Sequence, residues 1–165
     1  MLSECTMASP VGELTLVASD QGLRAVLWAA ERAGRVPLPD RRSDPAHAIL
    51  AEAVRQLGEY FDGRRRGFDL PLDPVGTDFQ KSVWTGLNTI PYGETRSYAA
   101  LAAAIGRPGA SRAVGAANGR NPLSIVTPCH RVIGANGTLT GFAGGLAVKQ
   151  WLLAHERGEP AWALA

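Results

Sequence analysis

Apolar and polar residues alternate along two stretches near the start of the chain, residues 12–19 and residues 23–28. A period of two places apolar side chains on one face of a β-strand, so both stretches are predicted to be strands. Asp20-Gln21-Gly22 lies between them and is typical of a turn, which predicts an antiparallel hairpin. Residues 33–42 contain two prolines and scattered charges and are predicted to be a loop, and residues 68–72 a third strand.

A helical period follows, with apolar residues recurring at Ile49, Ala53, Leu57 and Tyr60. Asp44 with Pro45 is a typical N-cap and first turn, and Gly63 is a typical terminator, so the helix is predicted to run between them. Arg64, Arg65 and Arg66 come next. Such a run is usually a solvated corner, and contact with nucleic acid is the alternative interpretation.

The pattern changes at residues 73–76, Asp-Pro-Val-Gly, which predicts a linker between a domain at residues 1–75 and a second at residues 76–165. Thr77 with Gln80 is a capping-box pair, and it predicts a helix that Pro91 ends. Ser97 is expected to cap a short helix at residues 98–105. A turn then leads to another short helix near residues 110–118.

Two short helices joined by a tight turn are typical of a helix-turn-helix, although an αα-hairpin that packs only on its own core has the same pattern. The second helix carries small side chains and one long one, Arg112. Groove reading of bases normally uses several long polar side chains. The composition therefore favours a minor-groove binder with one protruding side chain, or else a face that lets two helices pack closely.

Charge is distributed unevenly between the two halves. Residues 1–75 hold 9 Lys/Arg and 11 Asp/Glu, whereas residues 76–165 hold 8 and 4. The second half is therefore the better candidate for binding a polyanion.

The chain has 165 residues, 45% of them hydrophobic, which is enough for a packed core and excludes wholesale disorder.

The segment with the clearest chemistry is Cys129-His130, which follows Pro128 and a stretch, residues 123–127, predicted to be a short buried strand. A thiol beside a base is a plausible nucleophile. Neighbours on an extended strand point to opposite faces, so direct contact requires a turn or an intervening water. The alternative is that Cys129 is a small buried apolar residue.

Other chemistries are poorly supported. Two cysteines, Cys5 and Cys129, exclude a disulfide framework, and the three histidines show no metal-ligand spacing. No phosphate-binding loop is present, so neither a metal nor a cofactor is expected. The first ten residues lack the features of a signal peptide, and no segment resembles a membrane span. We therefore expect a cytoplasmic protein with reduced thiols and no membrane partner.

Residues 128–132, Pro-Cys-His-Arg-Val, closely resemble the motif of the O6-alkylguanine-DNA alkyltransferases, also called methylated-DNA–protein-cysteine methyltransferases. The resemblance covers most of residues 76–157 and weakens over the first half, where it rests on residues 9–12 and 21–23. Its further motifs are Thr77-Asp78-Phe79-Gln80, Ile90-Pro91-Tyr92-Gly93-Glu94, Ser97-Tyr98, Arg112-Ala113-Val114-Gly115, Gly119-Arg120-Asn121-Pro122, Gly144-Gly145 and Trp151-Leu152-Leu153-Ala154-His155-Glu156.

The resemblance implies an α+β protein, with an N-terminal α/β domain of ribonuclease-H-like shape followed by a mainly helical winged helix-turn-helix domain. It also implies DNA repair by direct damage reversal, without a cofactor. A thiolate displaces guanine from the alkyl group and becomes a stable S-alkyl cysteine, so each molecule acts once. Activity on O4-alkylthymine is left open. The partner is double-stranded DNA, approached through the minor groove by a monomer, with cooperative assembly on DNA left open.

Carried over by position, the resemblance assigns roles to this chain's residues. Cys129 is the alkyl acceptor, His130 its water-linked base and Glu156 the carboxylate that orients His130. Asn121 fixes the turn around the site, and Tyr98 helps to rotate the nucleotide and donates a proton to the leaving base. Arg112 enters the base stack in place of the flipped base. The remaining residues expected at the DNA or the base are Ser111, Ala113, Gly115, Ala116, Val132, Phe142 and Ala143.

The sequence departs from the family in two places. Some members bind structural zinc near the N-terminus, but Cys5 stands alone here, with Ser19 and Arg24 where partners would fall, so no zinc is expected. Phe142-Ala143 replaces the Tyr-Ser of some relatives, which leaves substrate preference open. Two rival functions remain: a DNA-binding module in which Cys129 is structural or redox-sensing, and a cysteine hydrolase of small esters or peptides.

Overall fold

The structure, a computed structural model, describes residues 1–137, 139 and 141–159. Residues 160–165 of the predicted second domain therefore lie outside the described residues. The chain forms two compact units. The first comprises Met1–Val75 together with Pro122–Val126, and the second comprises Gly76–Asn121 and the chain from Thr127 onward. The sequence-based division into two continuous domains did not anticipate that residues 122–126 belong with the first unit.

A four-stranded sheet forms one layer of the first unit, in the order β3-β2-β1-β4. The antiparallel hairpin is confirmed as β2 (Leu14–Ala18) and β3 (Leu23–Leu27). Two strands were not predicted: β1 (Leu2–Met7), antiparallel to β2, and β4 (Arg41–Ser43), parallel to β1. All three residues of β4 are exposed, so their strand conformation arises from pairing with β1 and leaves no hydrophobic pattern in the sequence.

Helix α1 (Ala48–Phe61) packs against this sheet through Leu50, Ala53, Leu57 and Tyr60. The predicted start at Asp44 is wrong. His47 is the N-cap, its Nδ1 accepts from the Ile49 N–H at 3.2 Å, and Asp44 instead extends the strand pairing by donating its N–H to the Glu4 carbonyl. Gly63 follows the helix with φ 76°, as predicted.

The prediction of a third strand at residues 68–72 is also wrong. Leu72 alone pairs with a strand residue, Leu23. The segment is held instead by the buried side chain of Gln56 on α1, which bonds both the N–H and the carbonyl of Asp69. A side chain that bonds backbone groups in this way replaces the hydrogen bonds of a neighbouring strand. The apolar pattern of the sequence is the same whether the segment is a strand or is held by a side chain.

The second unit is mainly helical. It contains α2 (Asp78–Leu87), α3 (Tyr98–Ala104), α4 (Ser111–Gly119) and α5 (Leu146–Glu156), with a small parallel sheet of β5 (Arg96–Ser97) and β6 (Val132–Ile133). The Thr77 capping box and the Ser97 cap are confirmed. Helix α2 ends at Leu87, earlier than the predicted stop at Pro91. The core of the unit consists of Val83, Trp84, Leu87, Ile90, Leu101, Ala102, Val114, Ala117, Cys129 and Val132.

The buried strand predicted at residues 123–127 is a turn. Leu123 forms one bridge with Val26, whose N–H donates to the Pro122 carbonyl at 2.8 Å. Ile125 is 1% exposed and has φ 72°, a backbone conformation that β-branched residues rarely adopt. The apolar side chains are buried as predicted, but the backbone reverses direction instead of extending.

Among the described residues, no helix combines the length and the apolar character that a membrane crossing requires.

Candidate active site

Cys129 opens a single 3-10 turn, Cys129–Arg131, and is 4% exposed. Its N–H donates to the Thr127 carbonyl at 2.8 Å, and the Arg131 N–H donates to the Pro128 carbonyl at 3.0 Å. Cys129 and His130 therefore lie on a turn and not on an extended strand. A turn is one of the two conditions under which neighbouring side chains can interact, the other being a bridging water.

Two asparagines hold this turn from outside it. Asn121, 1% exposed, donates from Nδ2 to the Thr127 carbonyl at 2.9 Å. Asn118, in the last turn of α4, donates from Nδ2 to the Cys129 carbonyl at 3.5 Å. Asn121 was a predicted site residue, whereas Asn118 was not.

The two residues after Cys129 belong to a buried hydrogen-bonded group of three side chains, His130, Arg131 and Glu156. His130 is fully buried, and its Nε2 lies 2.7 Å from Oε2 of Glu156, on the last turn of α5. Arg131 binds the same carboxylate with two nitrogens, Nε at 2.7 Å from Oε1 and Nη2 at 3.1 Å from Oε2. Its Nη1 donates to the Ile90 carbonyl at 2.7 Å. Both carboxylate oxygens therefore accept from these two side chains, and Oε1 also accepts the Gly93 N–H at 3.4 Å.

This environment sets the protonation of the group. Burial alone would raise the pKa of Glu156, but hydrogen bonds and positive charge from His130 and Arg131 hold that pKa well below its usual range. Burial lowers the pKa of His130, against the opposing effect of Glu156. His130 is therefore neutral, and an ionised Glu156 accepts the hydrogen of its Nε2. Its Nδ1 then carries a lone pair and is a proton acceptor.

A lysine that the sequence analysis did not select lies at the same site. Lys149 of α5 is 0% exposed, and its Nζ donates to the Val132 carbonyl at 2.6 Å. Burial lowers its pKa, while the electrostatic interaction with Cys129 raises it. The ammonium group also lies 5.9 Å from the centre of the Phe142 ring. The positive charge of Lys149 therefore interacts favourably with a thiolate at Cys129.

The other predicted substrate residues line the same core. Tyr98 and Phe142 are half-buried and pack against the cluster that contains Cys129 and Val132. Ala143 is half-buried in the loop before α5. A Cβ placed on Gly115 of α4 would lie 3.7 Å from the Tyr98 ring, an ordinary van der Waals contact, so this position of α4 faces the ring.

Helix α4 presents its predicted DNA residues unevenly. Arg112, Ala113 and Ala116 are exposed, while Ser111 and Gly115 are half-buried. Arg112 has no hydrogen-bond or ion-pair partner among the residues that the structure describes. The exposed face therefore consists of two alanines with one long cationic side chain at the N-terminal end of the helix.

Two features singled out in the first half belong to the first unit. Arg64 pairs with Asp62 at 3.0 Å and Arg65 with Glu59 at 2.9 Å, as expected of a solvated corner. Cys5 is buried in β1, where burial and the charge of Glu4 raise its pKa. Within the described part of the chain, no three His, Cys, Asp or Glu side chains are grouped to hold a metal ion.

A buried cysteine followed by a histidine that contacts a carboxylate is an arrangement that can activate a thiol for nucleophilic attack. Residues 3–74 match the family model for the ribonuclease-like domain of 6-O-methylguanine DNA methyltransferase, and residues 78–158 match the model for its DNA binding domain. Together these matches cover nearly all of the described residues.

Named relatives agree with this assignment. The chain is 51% identical over 162 residues to a methylated-DNA–protein-cysteine methyltransferase of Mycolicibacterium paratuberculosis, covering 95% of this chain and 93% of the relative. It is 50% identical over 148 residues to one of Methanosarcina acetivorans, covering 90% and 94%. The crystal structure of Mycobacterium tuberculosis OGT in complex with DNA matches with a TM-score of 0.88 and 46% identity, covering 99% of this chain and 97% of that one.

The chain therefore belongs to the 6-O-methylguanine DNA methyltransferase family, whose members reverse DNA damage directly by transferring an alkyl group to a cysteine of their own. The predicted fold class, a ribonuclease-like domain followed by a helical DNA-binding domain, is confirmed.

Proposed function

We propose that Cys129 is the residue that accepts the alkyl group from O6-alkylguanine, and that His130 and Glu156 activate it. The observation that carries this proposal is the buried group at Glu156, since an ionised carboxylate at 2.7 Å keeps the proton of a neutral His130 on Nε2. His130 Nδ1 is then the base for the thiol of the preceding residue. Cys5 has no histidine of this kind beside it in the sequence, and its raised pKa disfavours a thiolate.

The reaction is a single displacement. The Cys129 proton passes to His130 Nδ1 through a bridging water, and the thiolate attacks the alkyl carbon. The S–C bond forms as the C–O6 bond breaks, and the electron pair leaves with guanine, which takes up one proton. In our proposal Tyr98 supplies that proton and recovers one from solvent, while His130 releases the proton it took from Cys129 to solvent, so that the protons balance. No cofactor is needed because the alkyl group is already on the DNA, and the stable thioether ends the protein's single turnover.

The residues around Cys129 suit a purine base. Tyr98 and Phe142 offer aromatic faces at the same core. In our proposal the backbone of Val132 and Cys129 also binds the guanine edge, in addition to the hydrogen bonds that their carbonyls accept from Lys149 and Asn118. Ala143 supplies no hydroxyl to the base oxygen. Asn121 supports the turn through its bond to Thr127. Activity on O4-alkylthymine stays open in this proposal.

Helix α4 is proposed to enter the minor groove of duplex DNA, with Arg112 filling the gap left by the flipped base. A target base inside a duplex has to leave the stack before a buried thiol can reach it. The alanines at 113 and 116, with Ser111 and Gly115, allow close approach to the groove. We propose a monomer as the acting species. Because Cys129 has to stay reduced, the cytoplasm is the compartment we propose.

The test is incubation with an oligonucleotide carrying O6-methylguanine with a labelled methyl group, followed by peptide mass spectrometry. We expect one methyl group per chain, on Cys129, and no further turnover. A Cys129→Ser variant should bind the oligonucleotide and accept no label. A methyl group on Cys5 would refute the assignment of Cys129, and repeated turnover on esters without DNA would favour a hydrolase.

A further inference from the structure

Asn118 occupies a position beside Cys129 that the proposed mechanism does not use. The residue is 6% exposed, and its Nδ2 donates to the Cys129 carbonyl. Its other amide atom, Oδ1, is buried and has no hydrogen-bond partner among the described residues. A buried acceptor left without a donor destabilises the folded state. A water molecule is a hydrogen donor small enough to satisfy this amide oxygen.

A second buried acceptor lies next to the same cysteine. His130 Nδ1 also has no hydrogen-bond partner among the described residues. Because His130 is neutral and its hydrogen is on Nε2, Nδ1 accepts and cannot donate. The two unsatisfied atoms therefore have the same requirement. One belongs to the residue after Cys129, and the other to the side chain that bonds the Cys129 carbonyl.

We propose that Asn118 is a positioning residue for the alkyl transfer, whose Oδ1 accepts one hydrogen of the water that links Cys129 to His130. A water molecule donates two hydrogens and accepts at least one, so it satisfies Asn118 Oδ1 and His130 Nδ1 while accepting from the Cys129 thiol. This inference rests on the proposed function, since it assigns a role within the same relay.

Proton transfer through this water leaves Asn118 chemically unchanged. The thiol proton moves to the water oxygen, a hydrogen of that water moves to His130 Nδ1, and sulfur keeps the electron pair. Without the amide oxygen, the water has one anchor fewer and spends less time on the line between sulfur and Nδ1. Asn118 therefore contributes by orienting the water, an effect that matters only while the thiol still has to lose its proton.

Within the described part of the chain, the acidic and basic side chains around Cys129 come from three elements. The turn itself contributes His130 and Arg131, α5 contributes Lys149 and Glu156, and the Tyr98 phenol of α3 packs against the same core. The buried residues of α2 that pack near the turn, Val83, Trp84, Gly86 and Leu87, carry no titratable group. Replacing Asn118 alters none of these charges, so a change in pH dependence reports on the amide itself.

The test compares wild type with Asn118→Leu, which removes both polar amide atoms at similar volume. The rate of iodoacetamide alkylation at Cys129 is followed by peptide mass spectrometry from about pH 5 to about pH 10. We expect the midpoint of the Asn118→Leu profile to move up by about one pH unit, with about tenfold slower alkylation near neutral pH and convergence with wild type at alkaline pH.

The control is Asn88→Leu, because Asn88 caps the end of α2 and is exposed; its profile should match wild type. Asn118→Ala provides a second variant if Asn118→Leu folds poorly, with melting temperatures recorded for both. An unshifted midpoint, or a rate loss that is equal at every pH, would overturn the role of Asn118. Iodoacetamide requires no DNA, so this result is separate from methyl transfer by wild type, which tests the proposed function.

Discussion

Two clusters of ion pairs, one in each unit, use the same chemical groups at similar distances. On α1, Arg55 pairs with Glu52 and, at 3.1 Å, with Glu59, and Arg65, just after the helix, pairs with Glu59 at 2.9 Å. At the active site, Glu156 lies 2.7 Å from both His130 and Arg131. The side chain of Arg55 is 54% exposed, whereas that of Glu156 is 1% exposed. The two clusters therefore differ in solvation far more than in geometry.

Solvation decides what each cluster does. Hydrogen bonds from Arg55 and Gln56 lower the pKa of Glu52 to about 2, yet water solvates that carboxylate well in the unfolded chain too, so the pairs contribute little to stability. In the folded chain the Glu156 side chain is only 1% exposed, so the groups that bind its carboxylate are protein groups and not bulk water. Similar contacts thus lie at an exposed surface in one unit and keep a buried carboxylate ionised in the other.

The largest difference is expected in stability. Glu156→Gln leaves Arg131 buried without a counter-charge, and removing one member of a buried pair typically costs about 3–5 kcal/mol. Glu52→Gln on α1 should leave the free energy of unfolding unchanged within error. Urea unfolding of both variants near neutral pH measures this contrast. Equal losses in the two variants would contradict the distinction between buried and exposed clusters.

The arginines of the two units should also differ in DNA repair. Arg112→Ala removes the side chain proposed to replace a flipped base, an extrahelical state that otherwise costs a few kcal/mol. We expect about 10- to 100-fold slower methyl transfer from duplex DNA, a smaller loss at a mismatched site, and little change with the free base O6-benzylguanine. Arg112→Lys should rescue only partly, because it lacks the planar group.

The matched control is Arg64→Ala, which removes an exposed arginine paired with Asp62 in the first unit. Its transfer rate should equal that of wild type. If Arg112→Ala were equally slow on duplex DNA and on the free base, Arg112 would support the active-site structure and would not act in base flipping.

A smaller effect concerns stability in mild acid. Burial lowers the pKa of His130, so below about pH 6.5 the unfolded chain binds a proton that the folded chain does not. Stability should therefore fall as the pH drops below about 6.5, by at most about 1.4 kcal/mol per pH unit. The pKa of Glu156 is also lowered, so its contribution is lost only at lower pH, below about 4.3.

His130→Gln, which keeps a donor for Glu156, should remove the loss of stability that begins near pH 6.5. Unfolding free energies of wild type and His130→Gln between about pH 7.5 and about pH 5 provide the measurement. Parallel slopes for the two proteins would show that His130 is not the group that titrates.

Sequence rules succeeded where a structure depends on neighbouring residues. The hairpin needed only an alternating pattern and a turn, and the caps at Thr77 and Ser97 needed only the following three residues. The same rules failed where the local conformation depends on residues that are distant in the sequence. Strand β4 exists because of β1, and residues 123–127 turn back because Pro122 and Leu123 pair with Val26.

The active site follows the same rule. Cys129 and His130 were recognisable because they are adjacent in a specific motif. Glu156 was assigned by the resemblance alone, since no local pattern links it to His130 across 26 positions. Arg131, Asn118 and Lys149 were missed as site residues, because a sequence does not show which polar side chains will be buried. An informative signal would have been a lysine within the apolar stretch of α5, where Lys149 is fully buried.

The central claim is that the buried cluster at Glu156 drives methyl transfer while the exposed cluster on α1 does not. Its most direct test is the single-turnover rate of methyl transfer from O6-methylguanine DNA for wild type, Glu156→Gln and Glu52→Gln, at a temperature where all three are folded. We expect Glu156→Gln to be about 10²–10⁴-fold slower, with similar DNA affinity, and Glu52→Gln to match wild type. A Glu156→Gln rate equal to wild type from about pH 6 to about pH 9 would contradict the account.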